Sequence, residues 1–439
     1  MFVTLLRLVA IATLGVAPLT ISLPEASASQ GCERRTVVGV AHQDDDLLFM
    51  NPDLQHEIDA GSCVSVVYLT AGDAGHKDDY YVESREDGVR EAYAKLTRAP
   101  NRWWRADLYS PGHRLRSFTL STSAGREGVR LVFMRLPDGF PKGQESSSQN
   151  NASLLKLFRG ELTEIHAVDQ SASYSEAQLL ETLRWLRAKF RPNVLRTLDY
   201  DNIDFNGSVA SITAPADHSD HSVAARYFRT AFAGHRISIY SYLGYRIGGW
   251  PSNVAPLDEQ RKSEAFRAYV RHEGCHPADC PPPPDRVVSS SYALYISRQY
   301  LRDAPRPAPG ELLSAIGSTS AVSGDNRTSL CLGIANGAPV STRCGNGPSS
   351  QWRFTDGRLR SLGVADRCLI TVGETLALAP CASDGTSSWR LIRDGQIRYG
   401  ARCLTQDDLL RPRPLLHLQR CKHGSIEQRW HLGDGIGRS

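Results

Sequence analysis

The sequence predicts an α/β domain built on a Rossmann-like, largely parallel sheet flanked by helices, followed by a smaller all-β domain. Three observations predict it. Two short β-branched apolar runs, TVVGVA from Thr36 and VSVVYL from Val64, read as strands buried on both faces. Helix-like segments alternate with such runs, residues 81–96 most plainly and residues 175–190 (SEAQLLETLRWLRAKF) with a strongly amphipathic pattern. Beyond Gly317 the sequence repeats itself roughly every 35 to 41 residues, so that one supersecondary unit is used three times.

A length of 439 residues is enough for two or three domains with sizeable cores. The first 28 residues carry one early cation, Arg7, an apolar run over 8–23 and the small-x-small triplet Ala26-Ser27-Ala28, the pattern of an export signal. That run is shorter than the ~20 residues a membrane span needs and is broken by Pro18, which disfavours a retained anchor. The mature protein is therefore expected to be secreted and extracellular, with no stable membrane span. A formal net charge of +4, without a Lys/Arg cluster interleaved with aromatics, sets nucleic acid aside as a partner.

Ten cysteines, an even number in an exported chain, point to disulfides rather than thiolate metal sites. Their spacing suggests five pairs: Cys32 with Cys63, Cys275 with Cys280, Cys331 with Cys344, Cys368 with Cys381, and Cys403 with Cys421.

The first strand runs directly into AHQDDDLLFM, where His42 is followed by Asp44, Asp45 and Asp46. Acidic triplets are ordinarily solvated turns. Here, however, the triplet lies between apolar runs at the carboxyl end of a strand, where open α/β sheets collect their ligands. Further on, ADHSDHSVAARYF from Ala216 opens a helix that Asp217 can cap, with His218 and His221 on one face. Two nearby histidines are by themselves more often satisfied structural residues. Joined with a strand-end carboxylate, they form a set that holds a catalytic zinc and leaves a position open for water. An EF-hand is excluded, because its glycine and distal glutamate are missing. Between these motifs, residues 137–175 are rich in Ser, Asn and Gly and resist assignment; a loop over the site is one reading. Residues 292–300 read as a last packed helix beyond a proline run at 281–284. The expected organisation is a signal peptide over 1–28, a catalytic domain over 29–303, a Pro/Ala-rich linker over 304–316 and the repeated domain over 317–439.

Taken together, His42-Gln43-Asp44-Asp45-Asp46 and His218-Ser219-Asp220-His221 resemble the PIG-L/LmbE family of metal-dependent de-N-acetylases. The family signature is a strand, then His-Pro-Asp-Asp-Glu, and later His-Pro-Asp-His opening a helix. Both prolines are replaced here and the glutamate is shortened to Asp46, but no ligand is lost. Thr70-Ala71-Gly72-Asp73-Ala74-Gly75 after the second strand and Arg85 near the start of a helix extend the resemblance, which spans about 36–300. It implies that His42, Asp45 and His221 bind the metal, that Asp44 is the general base, and that His218, as a protonated imidazole with Asp220 beside it, stabilises the oxyanion. The implied metal is Zn²⁺, with Fe²⁺ or another divalent ion fitting the same ligands. The implied substrate is an N-acetylated amino sugar, N-acetylglucosamine above all. Asp44 and Asp45, being adjacent, should point different ways, while Asp46 is expected to be structural and paired with an arginine. Arg85 is either a holder of a substrate hydroxyl or anionic group or an ordinary solvated helix arginine. Two rivals stand beside this reading: hydrolysis of another amide or ester, and a silent carbohydrate- or surface-binding protein.

In the repeated region, Cys331-Leu332, Cys368-Leu369 and Cys403-Leu404 open three units. Trp352, Trp389 and Trp430 close them, each followed by an Asp-Gly turn at Asp356, Asp394 and Asp434. This tail resembles a ricin-type β-trefoil. In that family the sugar pockets use an Asp soon after the first cysteine and a Gln two residues before the tryptophan. Gly333, Ile370 and Thr405 stand where that Asp is expected, and only Gln428 matches the Gln. A carbohydrate ligand and a scaffold role both stay open for the tail, which is expected to fold as a separable unit.

Overall fold

A computed structural model describes residues 32–121, 127–144, 146–202, 205, 217–233, 235–274, 290–302, 309–315, 330–345, 347–381, 388–392, 395–423, 425–433 and 436. The expected signal peptide, the Cys275–Cys280 pair, the proline run and the turns at Asp394 and Asp434 lie outside the described residues.

The apolar runs form the centre of an eight-stranded sheet. Arg35–Val40 pairs in parallel with Cys63–Thr70 on one side and Val194–Leu198 on the other. Ser238–Tyr242 and Glu127–Leu136 extend the parallel region outward, and the antiparallel strands His113–Ser121 and Trp103–Arg105 complete one edge. Side chains alternate between two cores. Val38, Val40, Val66 and Tyr68 face one, and Val37, Ala41, Val67 and Leu69 the other, which explains why these strands read as unbroken apolar runs.

Helices cover both faces. Asp79–Thr97 starts at Asp78, whose side chain accepts the Tyr81 N–H, and Glu176–Phe190 starts at a capping box of Ser175 and Gln178. The helix Ser219–Phe232 crosses Gly39 so closely that any side chain there would overlap the Phe228 ring. The last expected helix is shorter than its pattern suggested: it spans Ser290–Ile296, after which Leu301 bridges to Tyr242 and the Arg302 N–H bonds the Ser241 carbonyl. The segment left unassigned contains the helix Leu154–Arg159 and a small hairpin, Ile165–His166 with Ser173–Tyr174.

The carboxy-terminal region forms three four-stranded antiparallel sheets. The unit repeats in its bonds as in its sequence: Trp352, Trp389 and Trp430 donate their indole N–H to the carbonyls of Leu332, Leu369 and Leu404 at 2.8, 2.8 and 3.0 Å. Asp356-Gly357 makes the hairpin turn with both residues in the left-handed region. One boundary needs correction. Leu312–Ser314, inside the stretch expected to be linker, is a strand that pairs with Trp430–Leu432, so the first and last strands of this domain are neighbours.

Four of the expected disulfides lie among the described residues: Cys32–Cys63, Cys331–Cys344, Cys368–Cys381 and Cys403–Cys421. The first ties the amino end of the sheet, because Cys63 begins its strand beside Arg35. Among the described residues no helix is long and apolar enough to cross a membrane.

Candidate active site and metal centre

The carboxyl ends of the parallel strands converge on one buried cluster. Chain leaving Val40 supplies His42, Asp44 and Asp45, and chain leaving Leu136 supplies Asp138. The start of Ser219–Phe232 supplies His218, Asp220 and His221. All seven are buried.

His42, Asp45 and His221 offer one donor atom each within 4.8 Å of one another. The Asp45 Oδ2 accepts the N–H groups of Ala41 and His42 at 3.1 and 2.7 Å, leaving Oδ1 turned toward the imidazoles. The His221 Nε2 lies at ion-pair distance, 2.8 Å, from that Oδ1, while the buried His42 Nε2 has no hydrogen-bond partner. Buried polar atoms without partners are costly. Two imidazoles and a carboxylate that converge in this way fit a divalent metal. Behind them the Asp217 Oδ1 lies 2.7 Å from His221 Nδ1, the carboxylate–imidazole support usual for a metal-binding histidine. Tyr245 stacks on His221 with ring centres 5.1 Å apart, and Phe49 meets it edge-on.

The electrostatics follow from this packing. Burial alone would push both His42 and His221 down. For His42, the carboxylates of Asp45, Asp138 and Asp220 reverse that and hold the imidazole well above its ordinary value. For His221, Asp45 and Asp217 do the same and raise it to about 10. Burial would raise Asp45, but the two imidazoles hold it well below the usual carboxylate range.

A second group, His42, Asp138, His218 and Asp220, overlaps the first. Its donors are more committed. Asp220 Oδ2 accepts the Gly139 N–H and Asp138 Oδ1 the Phe140 N–H, both at 2.8 Å. His218, not Asp217, is the residue that caps the helix: its Nδ1 accepts the Asp220 N–H at 3.2 Å. With Nδ1 an acceptor, the ring proton sits on Nε2, 3.5 Å from Asp138 Oδ1. Burial and the nearby His42 charge lower His218 to about 4. The Nε2 side of His218 is therefore the one free to donate toward the cluster.

Asp44 and Asp45 do point different ways. Asp44 Oδ1 lies 3.0 Å from the Arg85 guanidinium. That guanidinium is 6% exposed and also donates to the Gly72 carbonyl and the Tyr269 hydroxyl, each at 2.7 Å. Arg85 is thus not a solvated arginine; it pairs with Asp44. Among the described residues Asp46 meets no arginine. Its Oδ2 accepts the hydroxyls of Tyr68 and Tyr93 at 2.9 and 2.5 Å, and burial, partly offset by these bonds, pushes it up to about 7.

The model of the GlcNAc-PI de-N-acetylase (PIG-L) family matches residues 37–232. The chain carries a PIG-L domain. Residues 320–433 match the ricin-type β-trefoil lectin domain. No curated protein sequence matches the chain. Among solved structures, the β-trefoil lectin of the Vibrio vulnificus hemolysin/cytolysin with N-acetyl-D-lactosamine bound is 18% identical, with a TM-score of 0.22, over 29% of this chain and 95% of its own. The 4-carboxy-2-hydroxymuconate hydratase of Pseudomonas putida is 12% identical, with a TM-score of 0.29, over 54% and 78%. The zinc-inhibited form of teicoplanin deacetylase is 16% identical, with a TM-score of 0.28, over 54% and 83%.

Within the PIG-L domain, sequence reasoning missed Asp138 and gave Asp217 a lesser part. The signal for Asp138 is weak: LPDGF follows the strand Glu127–Leu136, whose pattern Arg130 and Arg135 interrupt, although its acid falls at a strand's carboxyl end as Asp44 and Asp45 do. In the trefoil, Ile370 is half-buried. A side chain at Gly333 would overlap Thr342, and Thr405 is buried beneath Gln428. Gln428 itself is buried, accepting the Lys422 N–H at 2.7 Å and donating to the Arg420 carbonyl at 3.1 Å.

Proposed function

We propose that the protein is an exported, zinc-dependent de-N-acetylase that hydrolyses the acetamide of an N-acetylated amino sugar, N-acetylglucosamine in a glycan, glycolipid or glycoconjugate. The observation that carries the reading is the convergence of His42, Asp45 and His221, with the His42 Nε2 unpartnered, beside an Asp44 held apart from them by Arg85. A silent binding protein has no use for a buried carboxylate oriented by a guanidinium at the edge of such a cluster. The disulfides support export.

His42, Asp45 and His221 would hold the zinc, which when bound would supply Lewis-acid chemistry toward water and the amide carbonyl. The chain's own residues divide the rest. Asp44 takes the proton of the attacking water, and Arg85 keeps its carboxylate aimed. The His218 Nε2–H donates to the carbonyl oxygen as charge builds there, a contribution of about 3 to 4 kcal/mol for one such donor. Asp138 and Asp220 line the same side and set the tautomer and position of His218. Asp44 returns its proton to the departing nitrogen as the C–N bond breaks, leaving acetate and a free amine. The trefoil, as a carbohydrate-binding or surface-binding module, keeps the enzyme near its glycan.

The test is release of acetate from a panel of N-acetylglucosamine mono- and oligosaccharides and glycolipids, run beside N-acetyl amino acids and acetyl esters. Acetate and free amine from the sugars are expected. Acetate from the amino acids or esters alone would move the assignment to another amidase or esterase.

A further inference from the structure

The third repeat of the trefoil differs from the first two in the length of its first hairpin. The cysteine pairs of the three repeats are separated by 13, 13 and 18 residues. In the first repeat the hairpin joining Leu330–Ala335 to Ala338–Arg343 turns on Asn336-Gly337, and in the second the hairpin joining Arg367–Val372 to Thr375–Pro380 turns on Gly373-Glu374. In the third, Arg402–Gln406 and Leu416–Arg420 are joined by the whole of 407–415. This longer connection is well ordered within itself: Asp407 accepts the Leu415 N–H at 3.1 Å and bonds His417 at 3.0 Å, and Asp408 accepts the Leu410 N–H at 2.9 Å.

The added residues meet the PIG-L domain. Asp408 Oδ2 lies 2.5 Å from Arg226 Nε, and both side chains are 1% exposed. Leu410 is buried in the apolar core that contains Phe158, Val223 and Tyr227, and its carbonyl accepts the Arg159 Nε–H at 3.0 Å. Arg411 pairs with Glu176 at 2.6 Å and lies 3.9 Å over the Phe158 ring. Arg226 belongs to Ser219–Phe232, the helix whose start carries His218 and His221, roughly 7 Å along the axis from His221 at the usual rise.

We propose that the lengthened third hairpin is a latch: it joins the trefoil and the PIG-L domain into one cooperative unit and holds the Ser219–Phe232 helix, and with it His221, in register against the sheet. Asp408→Ala leaves Arg226 without the carboxylate it pairs with, and loss of 407–415 uncovers the apolar surface that Leu410 packs on. Both losses fall on the helix whose first turn carries the metal site. The separable tail suggested by the Pro/Ala-rich connection is thereby replaced by a docked one. Asp408 is a positioning residue in this account, since it touches no reacting group.

The experiment compares four full-length proteins by calorimetric unfolding and by zinc titration: wild type, a variant with 407–415 replaced by Asn-Gly, Asp408→Ala, and the double variant Arg226→Met/Asp408→Leu. Wild type should unfold in one transition. The shortened hairpin should split it into two and weaken zinc binding by tenfold or more; Asp408→Ala should lower the transition and weaken zinc in the same direction. The double variant, which replaces the ion pair by apolar contact, should recover both. Two independent transitions in wild type, or a shortened hairpin that keeps a single transition and wild-type zinc affinity, overturns the latch. If the shortened protein does not fold, Asp408→Ala decides, and wild-type melting with wild-type zinc binding in that variant overturns it equally. A protein that binds no zinc at all contradicts the metal reading alone, because the unfolding transitions still test the latch.

Discussion

Asp217→Asn isolates the support behind the metal site. The Asp217 Oδ1 gathers three donors, His221 Nδ1 at 2.7 Å and the backbone N–H groups of His218 and Tyr245 at 2.9 and 3.3 Å. Asparagine preserves the shape and an acceptor oxygen but removes the charge that, with Asp45, raises His221. The imidazole then becomes a poorer ligand. Loss of such outer support typically weakens metal binding 10- to 100-fold, about 1.4 to 2.7 kcal/mol. Asp217→Ala removes the acceptor as well and should cost about 1 to 3 kcal/mol more in folding for each buried N–H left unpaired. The assay is zinc titration against a competing chelator near neutral pH, with thermal unfolding of both variants alongside. An asparagine variant that binds zinc as tightly as wild type refutes the reasoning, because the carboxylate would then be serving the helix entry and not the metal.

Three further outcomes are expected. Arg85→Lys cannot reach Asp44, Gly72 and Tyr269 together, so turnover should fall by a factor on the order of 10 to 100 while metal content holds; the KM and kcat of the variant, with its zinc per chain, check this. Burial, with Arg229 and Arg429 nearby, holds His431 at about 4, below its ordinary 6.5. The folded imidazole therefore stays neutral while the unfolded chain takes up a proton, and stability present above about 6.5 is lost as pH falls toward about 4, by up to about 3 kcal/mol. His431→Gln should flatten that part of the stability–pH curve, measured by denaturant unfolding at a series of pH values. Gln428→Ala should lower trefoil stability by about 1 to 3 kcal/mol, since it leaves the Lys422 N–H without its acceptor, and should leave turnover of a small soluble substrate unchanged.

What was legible in the sequence is what is local. Strands buried on both faces announce themselves as apolar runs, and the capping box at Ser175 and Gln178 marks its helix within four residues. The two polar motifs could be joined because each follows its own strand or opens its own helix at the same end of a parallel sheet. The strand Glu127–Leu136 was harder to read, because Arg130 and Arg135 interrupt its pattern. Arg135 is in fact buried, held by Glu86 at 2.7 Å and Asp169 at 3.0 Å, partners no local pattern reveals. With that strand unread, Asp138 at its end had no place. The pairing of Arg85 was hidden for a similar reason: its bond to Asp44 exists only once the helix Asp79–Thr97 packs beside the strand ends. Leu312–Ser314 escaped notice because its partner is the last strand of the chain. The longer Cys403–Cys421 interval was visible, but not what it touches.

The most direct test of the central claim is zinc content measured beside kcat for Asp44→Asn. The substitution keeps size and shape and removes only the base. If His42, Asp45 and His221 hold the metal and Asp44 moves the proton, zinc should stay near one per chain while kcat falls by a factor on the order of 10² to 10⁴. An Asp44→Asn protein that loses its zinc, or that keeps its rate, contradicts that division of roles.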